Sequence, residues 1–333
     1  MKIRNKKKIK RLVIGIAAGL LVAFIPLYVF LFNPQRTFHI TETYRITSAY
    51  RSETFLRVTL PMDGAYQKIT DLLVEGAVYY EIAYFNGWRE LTARVPSYGS
   101  EVTVIISYTA RLLRNAGTWD GQVHAEYTMP QQFVDSDNEE IIRLAEQLRG
   151  ENDFQTVLNM FNHTNRTIRT RTGTFATEGY DPTQPYASEI LLNPIGVCYD
   201  YAILMTALLR AGGIPARLIS GLSLNIPLGR SGDWRHPGVA HAWVEFYADG
   251  GWHFADPTWG RRYFNRNGTA HLSFGTFEAY IRSDFQRNRF AEIEDGSFHI
   301  RGGMSAPLSF IVFSTDENAT VIPRADASFS WFR

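Results

Sequence analysis

One cysteine, Cys198, stands in 333 residues. A single thiol cannot close a disulfide within the chain, so a disulfide scaffold is excluded, and the thiol is left for packing, for a bond to another chain or for chemistry. Positive charge is also scarce beyond the N-terminus. Seven of the 34 basic residues fall in the first eleven positions, which leaves 27 against 33 acidic residues and a net charge near −6 over the remainder. That balance excludes a global nucleic-acid footprint, so no nucleic-acid partner is expected. The eight histidines show no zinc-ligand spacing, and neither a metal nor a cofactor is expected. Repeats and low-complexity tracts are missing as well. Apolar residues are plentiful, at 45% hydrophobic and 14% aromatic, enough to fill the core of one large domain or two ordinary ones.

The basic cluster at 1–11 precedes an apolar run from Leu12 to Phe32. As a helix that run spans about 31 Å, the thickness of a bilayer core. It is longer than the apolar part of a signal peptide, and no small-x-small cleavage site follows, so the reading is a cytoplasmic tail at 1–11 and a transmembrane helix at 12–33. A cleaved signal is the competing reading. The basic flank would hold the N-terminus in the cytoplasm and place the rest outside the membrane, with the lipid bilayer as a partner.

Residues 36–130 are expected to form a small antiparallel β domain. Strand-like runs cover Phe55–Leu60, Val78–Phe85 and Glu101–Leu113, with turn signals at Asn86-Gly87 and Pro96–Ser100. Its aromatic residues Tyr79, Tyr80, Phe85 and Trp88 are read as core. From 135 to 333 the pattern becomes mixed. Ser136 or Asp137 is placed to cap a helix striped by Ile141, Leu144, Ala145 and Leu148, and Asp153 to cap a second one. The Leu308–Ser314 run is expected to add a terminal strand. Together these give an α+β chain.

Cys198 lies where Asn193-Pro194 and Gly196 give way to an apolar-periodic run, which ends at Gly212-Gly213 and Pro215. It is therefore expected in the first turn of a helix, where free backbone N–H groups and the helix dipole favour a thiolate. Gly196 is expected to let a substrate approach. Two period-two segments follow, His241–Phe246 and Trp252–Asp256, joined by the turn signal Asp249-Gly250. With that dipeptide at the centre, His241 and Asp256 become diagonal neighbours on one face. His253 falls on the other face and is read as packing. Cys198, His241 and Asp256 can then serve as nucleophile, base and orienting carboxylate.

The segments Gly196–Cys198, Ala207–Arg217, His241–Glu245 and Asp256–Trp259 resemble the transglutaminase-like superfamily over roughly 135–260. The resemblance implies a papain-like core with catalytic Cys198, His241 and Asp256, and it makes Gly196, Trp243 and Trp259 candidates for the substrate channel. It also implies a membrane-anchored extracytoplasmic cysteine enzyme that attacks protein or peptide amides through an acyl-thioester, with hydrolysis as the expected outcome. The expected partner is a protein or peptide substrate, cell-wall-linked peptide included. Two alternatives stay open: transfer of a protein-glutamine acyl group to an amine, and a non-catalytic module that binds protein or cell wall.

Overall fold

A computed structural model describes residues 35–47, 54–85, 87–95, 101–114, 116, 123–170, 186–224, 238–268, 271–276, 312–314 and 320–330. Six strands come first: β1 (Gln35–Thr47), β2 (Thr54–Leu60), β3 (Gln67–Glu75), β4 (Tyr79–Phe85), β5 (Trp88–Val95) and β6 (Val102–Leu113). After β6 come helices α1 (Glu139–Gln147) and α2 (Asp153–Thr167), a two-residue strand β7 (Arg169–Thr170), helix α3 (Ala187–Leu192) and a second short strand, β8 (Ile195–Gly196). Helix α4 (Cys198–Ala211) leads into β9 (Ala216–Leu224), β10 (Gly238–Ala248), β11 (Gly251–Ala255) and β12 (His271–Thr276). The last strands are β13 (Val312–Ser314) and β14 (Thr320–Ser330).

The strands form two main sheets. One has the order β14-β1-β6-β3; the other runs β11-β10-β9-β12-β5-β2-β13, with β4 also on β5. The strands of the first half thus continue the sheet of the second, joined where Gly275 of β12 pairs with Trp88 of β5. Gln67 fastens this junction: its Nε2 donates to the Met62 and Ser273 carbonyls, and its Oε1 accepts from Ser273 N–H at 2.8 Å.

Helix α4 is buried at every position from Asp200 to Arg210. It packs between the other helices and the β9–β10 face that carries Ala216, Leu218, Ala242, Val244 and Phe246. Arg210 fixes its exit, because Nε and Nη2 both donate to the Ala216 carbonyl and Nη1 donates to that of Met129. Gly213, at φ +81°, supplies the left-handed residue that ends the helix. The opposite face of the sheet presents Ile219, Trp243, Trp252 and Phe254 to Tyr66 and Tyr127.

Several expectations need correction. Among the described residues no helix is long and apolar enough to cross a membrane, and 12–33 lies outside those residues. The α+β description holds for the described residues without a transmembrane helix, and the bilayer partner and single-pass extracytoplasmic placement have no membrane-spanning helix to rest on among them. Tyr79, Tyr80 and Phe85 are exposed, whereas Trp88 is buried, because among the described residues β4 lies on β5 with only Ile82 packed against a core cluster. The helix caps shift slightly. Asn138 and Asn152 accept from the Glu140 and Gln155 amides, so Asp153 becomes the first helical residue.

Candidate functional site

The hairpin β10–β11 turns at Asp249 and Gly250, whose φ values of +48° and +79° are those of a tight two-residue connection. Val244 faces Ala255 and Glu245 faces Phe254, so His241 and Asp256 lie diagonally on one side. Their side chains meet, with His241 Nε2 2.8 Å from Asp256 Oδ2. The carboxylate is held from behind, since its Oδ1 accepts from Thr258 N–H at 2.9 Å and its own backbone N–H donates to the Tyr263 carbonyl.

A second imidazole reaches the same oxygen. His271, on β12, places Nε2 3.1 Å from Asp256 Oδ2. The ligand-type atoms of His241, Asp256 and His271 all lie within 4.8 Å of one another, and all three residues are buried. Both imidazoles spend Nε2 on the carboxylate, and His271 Nδ1 is left buried without a hydrogen-bond partner among the described residues. The cluster's two imidazoles and one carboxylate are also a donor set that could hold a metal ion. Aromatic rings hold the two histidines: Trp259 stacks on His241 at 4.4 Å, and Trp243, Phe254 and Trp259 surround His271 at 4.8 to 5.0 Å.

Charge distribution follows from this packing. Burial works against a charged His241, but hydrogen bonds with Asp256 and with the Cys198 thiol, and the charges of both, raise its pKa from 6.5 to about 10. Burial also opposes ionisation of Asp256, yet the two imidazole hydrogen bonds hold its carboxyl below the ordinary range. Burial pushes His271 down, and the Asp256 carboxylate only partly offsets it. The same carboxylate therefore serves one imidazole that favours a proton and one that stays neutral.

Cys198 is the first residue of α4 and half-buried. It belongs to the surroundings of His241, and it is not among the three side chains that converge on the carboxylate. Three side chains, His241, Asp256 and His271, thus form a His-Asp-His cluster, and Cys198 meets it through its hydrogen bond with His241. The acyl-thioester hydrolase drawn from a Cys-His-Asp triad, and its description as a cysteine peptidase or acyltransferase, are not what this cluster supports.

Residues 142–257 match the model of the transglutaminase-like superfamily. That match covers about a third of the chain. A candidate cysteine protease from Cytophaga hutchinsonii shares the fold at a TM-score of 0.52 and 18% identity, with 89% of this chain and 98% of that one covered. The periplasmic domain of TgpA from Pseudomonas aeruginosa, bound to ethylmercury, aligns over 66% of this chain and 90% of its own at 16% identity and a TM-score of 0.35. Red sea bream transglutaminase aligns at 12% identity and a TM-score of 0.29, over 70% of this chain and 50% of its own. No curated protein matches the chain.

The other expected site residues have clear places. A Cβ on Gly196 would come within 2.4 Å of Asp200 Oδ2, so the glycine makes room for the carboxylate that accepts from Val197 N–H at 2.6 Å. Trp243 is buried behind the histidines. Gly221, directly opposite His241, leaves space for its indole. Trp259 is 38% exposed and forms a wall on His241. Arg217 pairs with Glu245 at 2.6 Å and lies over Trp252 at 4.0 Å. His253 packs on Phe246, apart from the cluster. The sequence reading missed His271, whose only signal is the alternation His271-Leu272-Ser273-Phe274, and it also missed the exposed Leu192 and Ile195.

Proposed function

We propose that this transglutaminase-like protein binds extended protein or peptide segments on an apolar rim beside the first turn of α4. One observation carries the reading: Leu192 is 86% exposed, Ile195 44% and Trp259 38%, around a polar cluster that is itself buried. Leu192 and Ile195 precede Cys198 by six and three residues, and Trp259 stacks on His241, which hydrogen-bonds the Cys198 thiol. Large apolar groups left in water around a single point suit an apolar, chain-like partner. Covering Leu192 would contribute about 1.5–3 kcal/mol, and the half-buried Ile195 and Trp259 about half of that or less each, before the costs of association, which fits a transient complex.

A second reading, transfer of a protein-glutamine acyl group to an amine, has its own support in the contact between the Cys198 thiol and His241 at a helix N-terminus. One experiment separates the two. A glutamine-containing peptide library would be incubated with the full chain and a primary amine, then assayed by fluorescence anisotropy and by mass spectrometry. Binding that weakens in Leu192→Asp and Trp259→Ala, persists in Cys198→Ala and leaves peptide masses unchanged supports the binding module. Amine-shifted masses that vanish in Cys198→Ala would replace it with acyl transfer. Absence of any peptide binding would overturn the rim.

A further inference from the structure

The inner face of the first sheet ends on two arginines. Along β1 and β6 the inward row is apolar and aromatic, with Phe38 opposite Ala110 and Ile40 opposite Tyr108, and all four are buried. Arg36 continues that row on β1, where it pairs with Leu112, and Arg114 stands two residues beyond Leu112, just past the end of β6. The two arginines are therefore diagonal neighbours, with Cβ atoms about 7–8 Å apart, a separation that long side chains bridge. Both are half-buried, as expected of stems laid on an apolar row with the charged heads at its end.

Elsewhere in the fold arginines meet carboxylates: Arg217 pairs with Glu245, Arg143 with Glu140 and Arg57 with Glu90. Arg114 meets no carboxylate among the described residues, and its Nε is shielded from water without an acceptor. Its neighbour is a second positive charge. Burial and the Arg114 charge together lower the pKa of Arg36, the direction expected when two guanidiniums crowd each other. The segment packed on this corner adds charge of the same sign. Asn267 N–H donates to the Arg114 carbonyl at 3.1 Å, and Tyr263 lies within electrostatic reach of Arg36, so the segment carrying exposed Arg261, Arg262 and Arg266 adjoins the pair. From Pro257 to Thr276 the chain has these three arginines and no aspartate or glutamate. Positive charge is thus gathered at one corner of a protein that is acidic beyond its first eleven residues.

We infer that this corner is a binding site for a phosphate group, gripped by the outer guanidinium nitrogens of Arg114 and balanced by the charge of Arg36. A guanidinium presents its donors as a fork that matches two oxygens of a tetrahedral anion. Arg114 Nε is closed to a ligand and takes no part. Two neighbouring cations are offset by the near-dianionic charge of a phosphate, whereas a carboxylate offsets only one, so phosphate is the better occupant. Inorganic phosphate and a phosphate ester share this chemistry. The site uses none of the residues of the apolar rim, so it stands or falls apart from the peptide-binding reading above.

The full chain would be titrated with inorganic phosphate by calorimetry at constant ionic strength, with glycerol 3-phosphate as the ester and acetate as the monoanion. Saturable phosphate binding is expected, weakened about tenfold in Arg114→Gln and in Arg36→Gln, a change worth about 1.4 kcal/mol. Exposed Arg262→Gln should weaken it about twofold or less, because a charge in water acts only through a screened field. Tighter binding of glycerol 3-phosphate than of inorganic phosphate would assign the ester as the occupant, and the reverse order the free ion. Thermal unfolding guards against a merely structural arginine: phosphate should raise the Tm of wild type more than that of Arg114→Gln or of Arg114→Lys, which keeps the charge and loses the fork. An equal rise in all three proteins, or no saturable binding to wild type, overturns the site. Equal weakening in Arg262→Gln and Arg114→Gln would reduce it to a diffuse positive field, and acetate bound as tightly as phosphate would overturn the ligand class.

Discussion

Every residue of β9 is buried, whereas every residue of β4 except Ile82 is exposed, although the two strands belong to one hydrogen-bonded sheet. Backbone pairing therefore does not decide what a strand contributes. On β9 and β10 one face meets α4 and the other meets Tyr66 and Tyr127, so both faces bury apolar area. On β4 the aromatic side chains serve the pleated backbone and leave little area removed from water. The enclosed end can hold a charged cluster in place because its surroundings are over-determined, and the bare end cannot.

The largest effect should come from Asp256→Ala. It removes the acceptor shared by two buried imidazoles and leaves both Nε2 atoms unmatched, a loss of about 3–5 kcal/mol by analogy with breaking a buried pair. Urea denaturation measures it. A loss no greater than that of an exposed substitution would break the contrast between the two ends. Next comes Gly221→Val. Its Cβ would come within 2.3 Å of both the Leu272 carbonyl and the Trp243 ring, and neither can move far in a packed sheet. The expected cost is about 1–3 kcal/mol, against almost none for Gly251→Ala, where a Cβ meets nothing within 4 Å.

Much of the enclosed end was legible from residue order. Asp249-Gly250 set the hairpin centre, the period of two put His241 and Asp256 on one face, and the apolar run after Gly196 placed Cys198 in the first turn of α4. Local chemistry suffices for these because each depends on neighbours within a hairpin or a helix. His271 was not legible as part of the site. It reaches Asp256 only because β12 lies beside β9, and no turn signal states which strands become neighbours across a long connection. Likewise Tyr79, Tyr80 and Phe85 look like core in the sequence, since aromatic and β-branched residues mark strands whether or not a second layer covers them.

Acidity should separate the two ends more gently. His271 has a lowered pKa, so the unfolded chain binds a proton that the folded one refuses, and its contribution to stability is lost as pH falls through about 6.5, the ordinary histidine value. Asp256, held low, adds a further loss as pH falls below the usual carboxylate range. His241 acts in the opposite direction: raised to about 10, it favours the folded state at neutral pH and below, and that contribution fades as pH climbs from about 6.5 toward 10. Stability measured against pH should therefore decline on both sides, and His271→Phe should flatten the loss near pH 6 while leaving the alkaline side in place. An unchanged acid limb in that variant would show that His271 is not the group refusing the proton.

The smallest effect is expected at the bare end. Tyr84 is 69% exposed on β4, so Tyr84→Ser removes an aromatic ring that is mostly in water already. Its stability should stay within about 0.5 kcal/mol of wild type by denaturant unfolding, the range of surface substitutions without a buried partner. Phe85 supplies the internal control. It is 46% exposed but stacks on buried Trp88 at 4.8 Å, so Phe85→Ser should cost more than Tyr84→Ser by the ring contact, about 0.5–1.5 kcal/mol. Equal effects at the two positions would mean that exposure alone sets the outcome on this strand, and that stacking across the β4–β5 turn carries nothing into the sheet.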